Sequence, residues 1–147
     1  MATKHYFTQI REAAIKQVKA IVPRGLCRSF LAHDPYKTQS SELPSIEFRV
    51  GGHNETEDIG QSYNDIFDVV LEMTVKSQGT IEENERLFGE AQKALVSDNS
   101  LGINVLDINS GVVEVENEEF EAQTHIIRST WLVKVNVDFN DPFTIKG

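Results

Sequence analysis

Four histidines, one cysteine and a run of glutamates are the side chains of this 147-residue chain whose types and spacing could do chemistry. His5, His33, His53 and His125 do not pair with one another, or with Cys27, at the spacing of a zinc site. His53 opens the segment His53-Asn54-Glu55-Thr56-Glu57-Asp58, where an imidazole beside three carboxylates could hold a divalent ion. A solvated acidic loop is the plainer reading of the same residues. Cys27 stands between Arg24 and Arg28, cations that lower a thiol pKa, yet its place in a short apolar strand reads as a structural thiol. No Gly-x-Ser-x-Gly elbow is present, so acyl transfer lacks its usual mark. Gly51-Gly52 follows a strand without the further glycines, lysine and helix of a phosphate-cradling loop. Asn54-Glu55-Thr56 fits a glycosylation sequon, which carries meaning only in an exported chain. No catalytic constellation, cofactor motif or metal site emerges, and the expectation is a protein that is not an enzyme.

The strongest anomaly is Glu114, Glu116, Glu118, Glu119 and Glu121, five acids within eight positions. If the strand continues, Glu114, Glu116 and Glu118 share one side and repel at close range. A solvated hairpin tip accounts for them. So would a docking surface for a basic partner, or a negatively charged lining; a metal site is weaker, since these carboxylates follow no loop pattern. The acid is unevenly spread. Residues 1–60 carry 8 basic and 7 acidic side chains, a balance of +1, whereas residues 61–147 carry 6 and 16, a balance of −10. A formal charge of −9 argues against wrapping nucleic acid, which requires a Lys/Arg footprint. Aromatic residues do not interleave with basic ones anywhere, so Trp131 and Phe139 read as core rather than as a base-stacking platform.

These residues need elements to position them. The length fits one domain over residues 1–147, with a core that requires neither metal nor disulfide. The 39% apolar and 25% charged content is ordinary for a globular chain. No run approaches the roughly 20 apolar residues of a membrane span. Residues 1–20 are amphipathic and charged, so no secretory leader is expected, and a single cysteine suggests a reducing compartment.

The spacing predicts a helix from Tyr6 to Val22, with Phe7, Ile10, Ala14, Val18 and Ile21 as its apolar stripe and Pro23 and Gly25 as its stop. A short strand is expected over 26–31, then a loop over 33–45. Ile46, Phe48 and Val50 alternate inward against Glu47 and Arg49 outward. A polar, acidic connection over 53–64 leads to a strand over 66–76, with Phe67, Val69, Leu71, Met73 and Val75 on one face. Thr80 and Glu83 form a capping box that opens a second helix, with Ile81, Phe88, Ala91 and Leu95 buried. Short strands over 103–108 and 112–116 are expected, joined by an Asn109-Ser110-Gly111 turn. Finally, residues 125–139 alternate with Ile127, Trp131, Val133, Val135, Val137 and Phe139 on one side. At about 3.3 Å per residue this strand would run some 50 Å, so it either bends at a bulge or projects as an arm. The expected architecture is α+β: one mixed or antiparallel sheet with two helices on one face and a long C-terminal strand or projecting hairpin.

In this order the elements resemble the tail terminator, or tail-completion, proteins of long-tailed bacteriophages. The resemblance rests on an opening helix ending in Pro23-Arg24-Gly25, the strand Pro44-Ser45-Ile46-Glu47-Phe48, a long strand Phe67–Lys76 and an acidic helix over 80–96. That helix closes on Leu95-Val96-Ser97-Asp98-Asn99-Ser100-Leu101-Gly102, and an acidic hairpin and long strand follow. Many family members carry a second glycine where this chain has Ile103. The resemblance implies a virion tail protein, assembled in the host bacterial cytoplasm, without cofactor or membrane. Such proteins form a ring, usually a hexamer, on the head-proximal end of the tail tube. The ring stops further tube subunits from adding and offers a surface to the head-completion or connector protein. DNA passes through without specific binding, and the glutamates at 114–121 could line the ring or form an interface. Two other functions stay open: another head–tail neck protein, or a small enzyme or ligand-binding domain built on Arg49, His53, Glu55 and Glu57.

Overall fold

A computed structural model describes residues 4–32, 42–54, 66–120 and 122–147, and the side chains of all of these except 54, 117–120 and 122–123. The order is α1 (Tyr6–Ile21), β1 (Ser29–Ala32), β2 (Ser45–Asn54), β3 (Ile66–Ser77), α2 (Ile81–Leu95), β4 (Asp107–Phe120) and β5 (Ala122–Asn136). The strands form one sheet in the order β1-β2-β3-β5-β4. β1 runs parallel to β2 and every other pairing is antiparallel. Both helices pack on the same face, which makes the expected α+β architecture a two-layer one.

Helix α1 forms because Tyr6, Ile10, Ala14 and Val18 recur every four residues and are all buried. The stripe differs from expectation at both ends. Tyr6 rather than Phe7 enters the core, and Ile21 lies exposed, because an unbroken step of four drifts slowly around the helix. His5 supplies the N-cap, its Nδ1 accepting from the Phe7 N–H at 3.0 Å. α2 opens as its capping box requires, with the Glu83 N–H donating to Thr80 Oγ1 at 3.1 Å. It buries Asn84, Leu87, Phe88, Ala91, Ala94 and Leu95, whereas Ile81 is 57% exposed because it lies in the first turn beyond the reach of the core.

The sheet supplies the opposite side of the core. Phe67, Val69, Leu71, Met73 and Val75 of β3 stand opposite Val135, Val133, Trp131, Ser129 and Ile127 of β5. One register therefore brings the inward face of each strand together. The Trp131 indole N–H donates to Ser129 Oγ at 2.8 Å, so the one polar edge of that ring is satisfied inside the core.

Several strand boundaries differ from the sequence expectation, and β2 continues through Gly51-Gly52 to Asn54 instead of stopping at the glycines. The first strand begins at Ser29, and Cys27 precedes it. Residues 107–120 form one continuous strand, and 109–111 do not turn the chain. The register against β5 shifts between Ser110 and Val113, so Gly111 and Val112 are absorbed as a bulge. Gly111 suits that place because a Cβ there would lie 2.8 Å from the Thr130 carbonyl oxygen. The last strand ends at Asn136, leaving Val137 buried and Phe139 54% exposed beyond it. The expected loop over 33–45 and polar connection over 53–64 lie mostly outside the described residues.

Candidate functional site

Residues Glu114 and Glu116 lie on β4, and register places them on the sheet face opposite the helices. Glu114 stands across from Arg128, and Arg128 also makes an ion pair with Glu116. The Arg128 guanidinium thus neutralises Glu116 and stands across the register from Glu114, which limits the expected repulsion between the two glutamates. Glu118 and Glu119 continue β4 opposite Thr124 and Gln123. Their side chains, and Glu121 entirely, lie outside the described residues. The β3–β5 pairing ends at Ser77↔His125, so residues 122–124 pair only with β4. The hairpin thus extends about 10 Å past its neighbour strand, at about 3.3 Å per residue.

The same face carries further charges, alternating in sign across the strands. Arg49 Nε lies 2.7 Å from Glu72 Oε2, directly across the β2–β3 pairing. Lys76 Nζ lies 3.2 Å from Glu47 Oε2. Glu47 was expected outside; it is only 4% exposed, and the neighbouring Lys76 is what makes burial of its charge tolerable. Arg49, Glu72, Thr74, Glu114 and Arg128 line a shallow trough of about 520 Å³ across this face. Its carboxylates are matched to cations rather than to one another, so the trough does not form the paired-acid arrangement of general acid–base catalysis.

His53 sits elsewhere. Its ring lies 4.8 Å from Phe67 and 6.1 Å from Phe139, within an aromatic cluster that also includes Phe7. Glu55 and Glu57 lie outside the described residues, and Arg49 faces Glu72 rather than His53. Among the described residues no group of three His, Cys, Asp or Glu side chains could hold a metal ion. His5 caps α1, and His125 is buried against Ser77 in the sheet register.

The Cys27 thiol donates to the Ser29 carbonyl at 3.2 Å. Burial pushes its pKa up to about 11, the backbone hydrogen bonds opposing only in part. Arg24 and Arg28 do not activate it, and a thiol of that pKa is a poor nucleophile at neutral pH.

The turn after α2 has a more specific construction than the sequence suggested. Asp98 Oδ1 accepts from the Ser100 N–H at 2.9 Å and from the Ser100 hydroxyl at 2.7 Å, which holds its carboxyl below the usual range. This Asx turn drives Leu101 to φ +51° and Gly102 to φ +69°. Leu101 is buried in the core despite a left-handed backbone that disfavours its side chain. Gln17 of α1 closes the same end, its Nε2 donating to the Ala94, Leu95 and Asp98 carbonyls at 3.0, 2.9 and 3.2 Å. Nothing in the local sequence pattern points to Gln17, because its partners lie nearly eighty positions away.

No described helix is long and apolar enough to cross a membrane. No family model matches the sequence, and no curated protein matches it. The structure does match 26 solved chains. One belongs to a structure of the virion of a native gene transfer agent particle. The two align with a TM-score of 0.57 at 13% identity, over 91% of this chain and the whole of that one. At that identity the likeness is one of fold: this chain and a chain of a virion particle share the same α+β architecture.

Proposed function

We propose that this chain is a virion structural protein that acts as a tail terminator, capping the head-proximal end of the tail tube as a ring. The observation that carries the reading is the end-to-end likeness to a chain of the gene transfer agent virion, which spans 91% of this chain and leaves no part of the neighbour unmatched. The turn over 95–102, on which the sequence resemblance rests, supports the same family.

The activity in this reading is termination by shape. One face of the ring fits the last tube subunits, the other offers them nothing to continue on, and it receives the head-completion or connector protein instead. Closure requires two different surfaces on each subunit, repeated until the rotation is complete. The extended β4–β5 hairpin is suited to reach a neighbour. Glu114, Glu116, Glu118, Glu119 and Glu121 would then contribute an interface or a lining that repels phosphate as DNA passes.

Electron microscopy of the protein mixed with purified tail tubes tests the reading. Density at one tube end, with tube growth arrested, is the expected result. Tubes that stay bare and keep polymerising would reject it. Attachment to isolated connectors and not to tubes would assign the chain to another position in the neck.

A further inference from the structure

Helix α2 and the edge strand β4 leave an apolar hollow of about 370 Å³ between them. Ile81, Phe88, Val113, Val115 and Ile127 form its walls, and Val115 is 72% exposed. Asn84 also lines it, is 1% exposed, and has a side-chain oxygen with no hydrogen-bond partner. An exposed apolar edge strand and an unsatisfied buried amide are both unfavourable in an isolated domain, and here they share one surface. A segment that is apolar and also brings an N–H donor would satisfy both.

We propose that this hollow is the seat for a second copy of the chain, which inserts the end where α1 and α2 finish. That end presents the exposed side chains of Ile21 and Val96. Gln17 ties α1 to the last carbonyls of α2, so the two helix ends that carry these residues are held together. Exposed Lys19 and Arg24 flank Ile21 in the chain and bring N–H donors, whereas exposed Glu85 lines the seat, so these side chains carry opposite charge. The seat lies along the first half of α2 and the insert at its end, Ile81 and Phe88 standing about 22 and about 12 Å from Val96 at about 1.5 Å per residue. Neither patch complements itself. The contact is therefore head-to-tail, leaving one seat and one insert free on every dimer, as ring growth requires. This inference rests on the ring proposed above and names the surfaces that build it.

Sedimentation of the full chain tests it, using Val115→Asp to spoil the seat and Ile21→Asp to spoil the insert. Both positions are exposed, so neither change touches the core. The wild type is expected to associate beyond the dimer, and each variant alone to lose association by about a hundredfold. An equimolar mixture of the two is expected to form a heterodimer and nothing larger, because only one intact contact can form; that outcome also shows both variants folded. Glu85→Lys should weaken wild-type association in a salt-dependent manner. The inference is overturned if either variant assembles like the wild type, if the mixture stays monomeric, or if the wild type is a monomer at about 1 mM. Tube capping that survives both substitutions would remove the seat and leave the terminator reading intact. Assembly through the seat without tube binding would do the reverse.

Discussion

Trp131 shows how far a single residue can be read from pattern alone. Its position in a period-two alternation placed the ring inward, and it is buried there, with Ser129 taking its indole N–H. Truncation to alanine should cost about 3–5 kcal/mol, the range for deleting a large core ring, measured by denaturant unfolding. A loss below about 1 kcal/mol would mean that the ring contributes little packing. Cys27 shows the limit. Its flanking arginines suggested activation, yet burial decides, and burial is not visible from adjacent residues in the chain. With its pKa at about 11, the thiol should react with iodoacetamide far more slowly than a free cysteine at pH 8, accelerating as pH rises toward 11. The raised value means the folded state holds its proton more tightly than the unfolded chain does. The associated stability is therefore complete below the ordinary thiol range and disappears as pH climbs through about 11. Labelling as fast as an unfolded control at pH 8 would contradict this.

At the scale of elements, the two helices were legible because apolar spacing and a capping box are local signals. Their ends were less so, since a neighbour decides which residue of a fraying turn is covered. α2 illustrates the dependence. Its start is written in Thr80 and Glu83, whereas its finish is completed by Gln17 from another helix. Gln17→Ala should destabilise the fold by about 1 kcal/mol through loss of the donor to those carbonyls. Gln17→Glu should cost more, because it turns a carboxylate toward the same oxygens. Chemical denaturation of the pair decides between them; equal effects would mean that the side chain acts by packing alone. β4 illustrates the opposite error. Asn109-Ser110-Gly111 has turn composition, yet its backbone belongs to a bulge inside one strand. Gly111→Ala should destabilise by about 1–3 kcal/mol, since the added carbon meets the Thr130 carbonyl oxygen at 2.8 Å. A neutral effect would show that the strand can shift to accommodate it.

Across the whole molecule, charge has a position as well as a sum. The acid excess of the second half converges on the β4–β5 hairpin, where Arg128 neutralises part of it, and on the first turn of α2. A lumen role for the hairpin depends on the remaining carboxylates. Changing Glu116, Glu118 and Glu119 together to glutamine should leave folding unaltered within about 0.5 kcal/mol, as surface changes usually do. It should reduce DNA delivery from assembled particles if those carboxylates face the DNA; unchanged delivery would remove the lining role and leave an interface.

The sequence by itself determined the α+β class, the two helices and the inward faces of β2, β3 and β5, because period-two and near-four spacings are properties of the chain alone. It also settled that the short-range motifs of metal, phosphate and acyl-transfer chemistry are missing. Only the tertiary structure decided what those elements do to one another. It paired Glu116 with Arg128, placed His53 among aromatic rings, buried Glu47 beside Lys76, and left Asn84 unsatisfied in an apolar hollow. Each of these depends on strand order and register, and those follow from how faces pair across long sequence separations, which spacing along the chain does not encode.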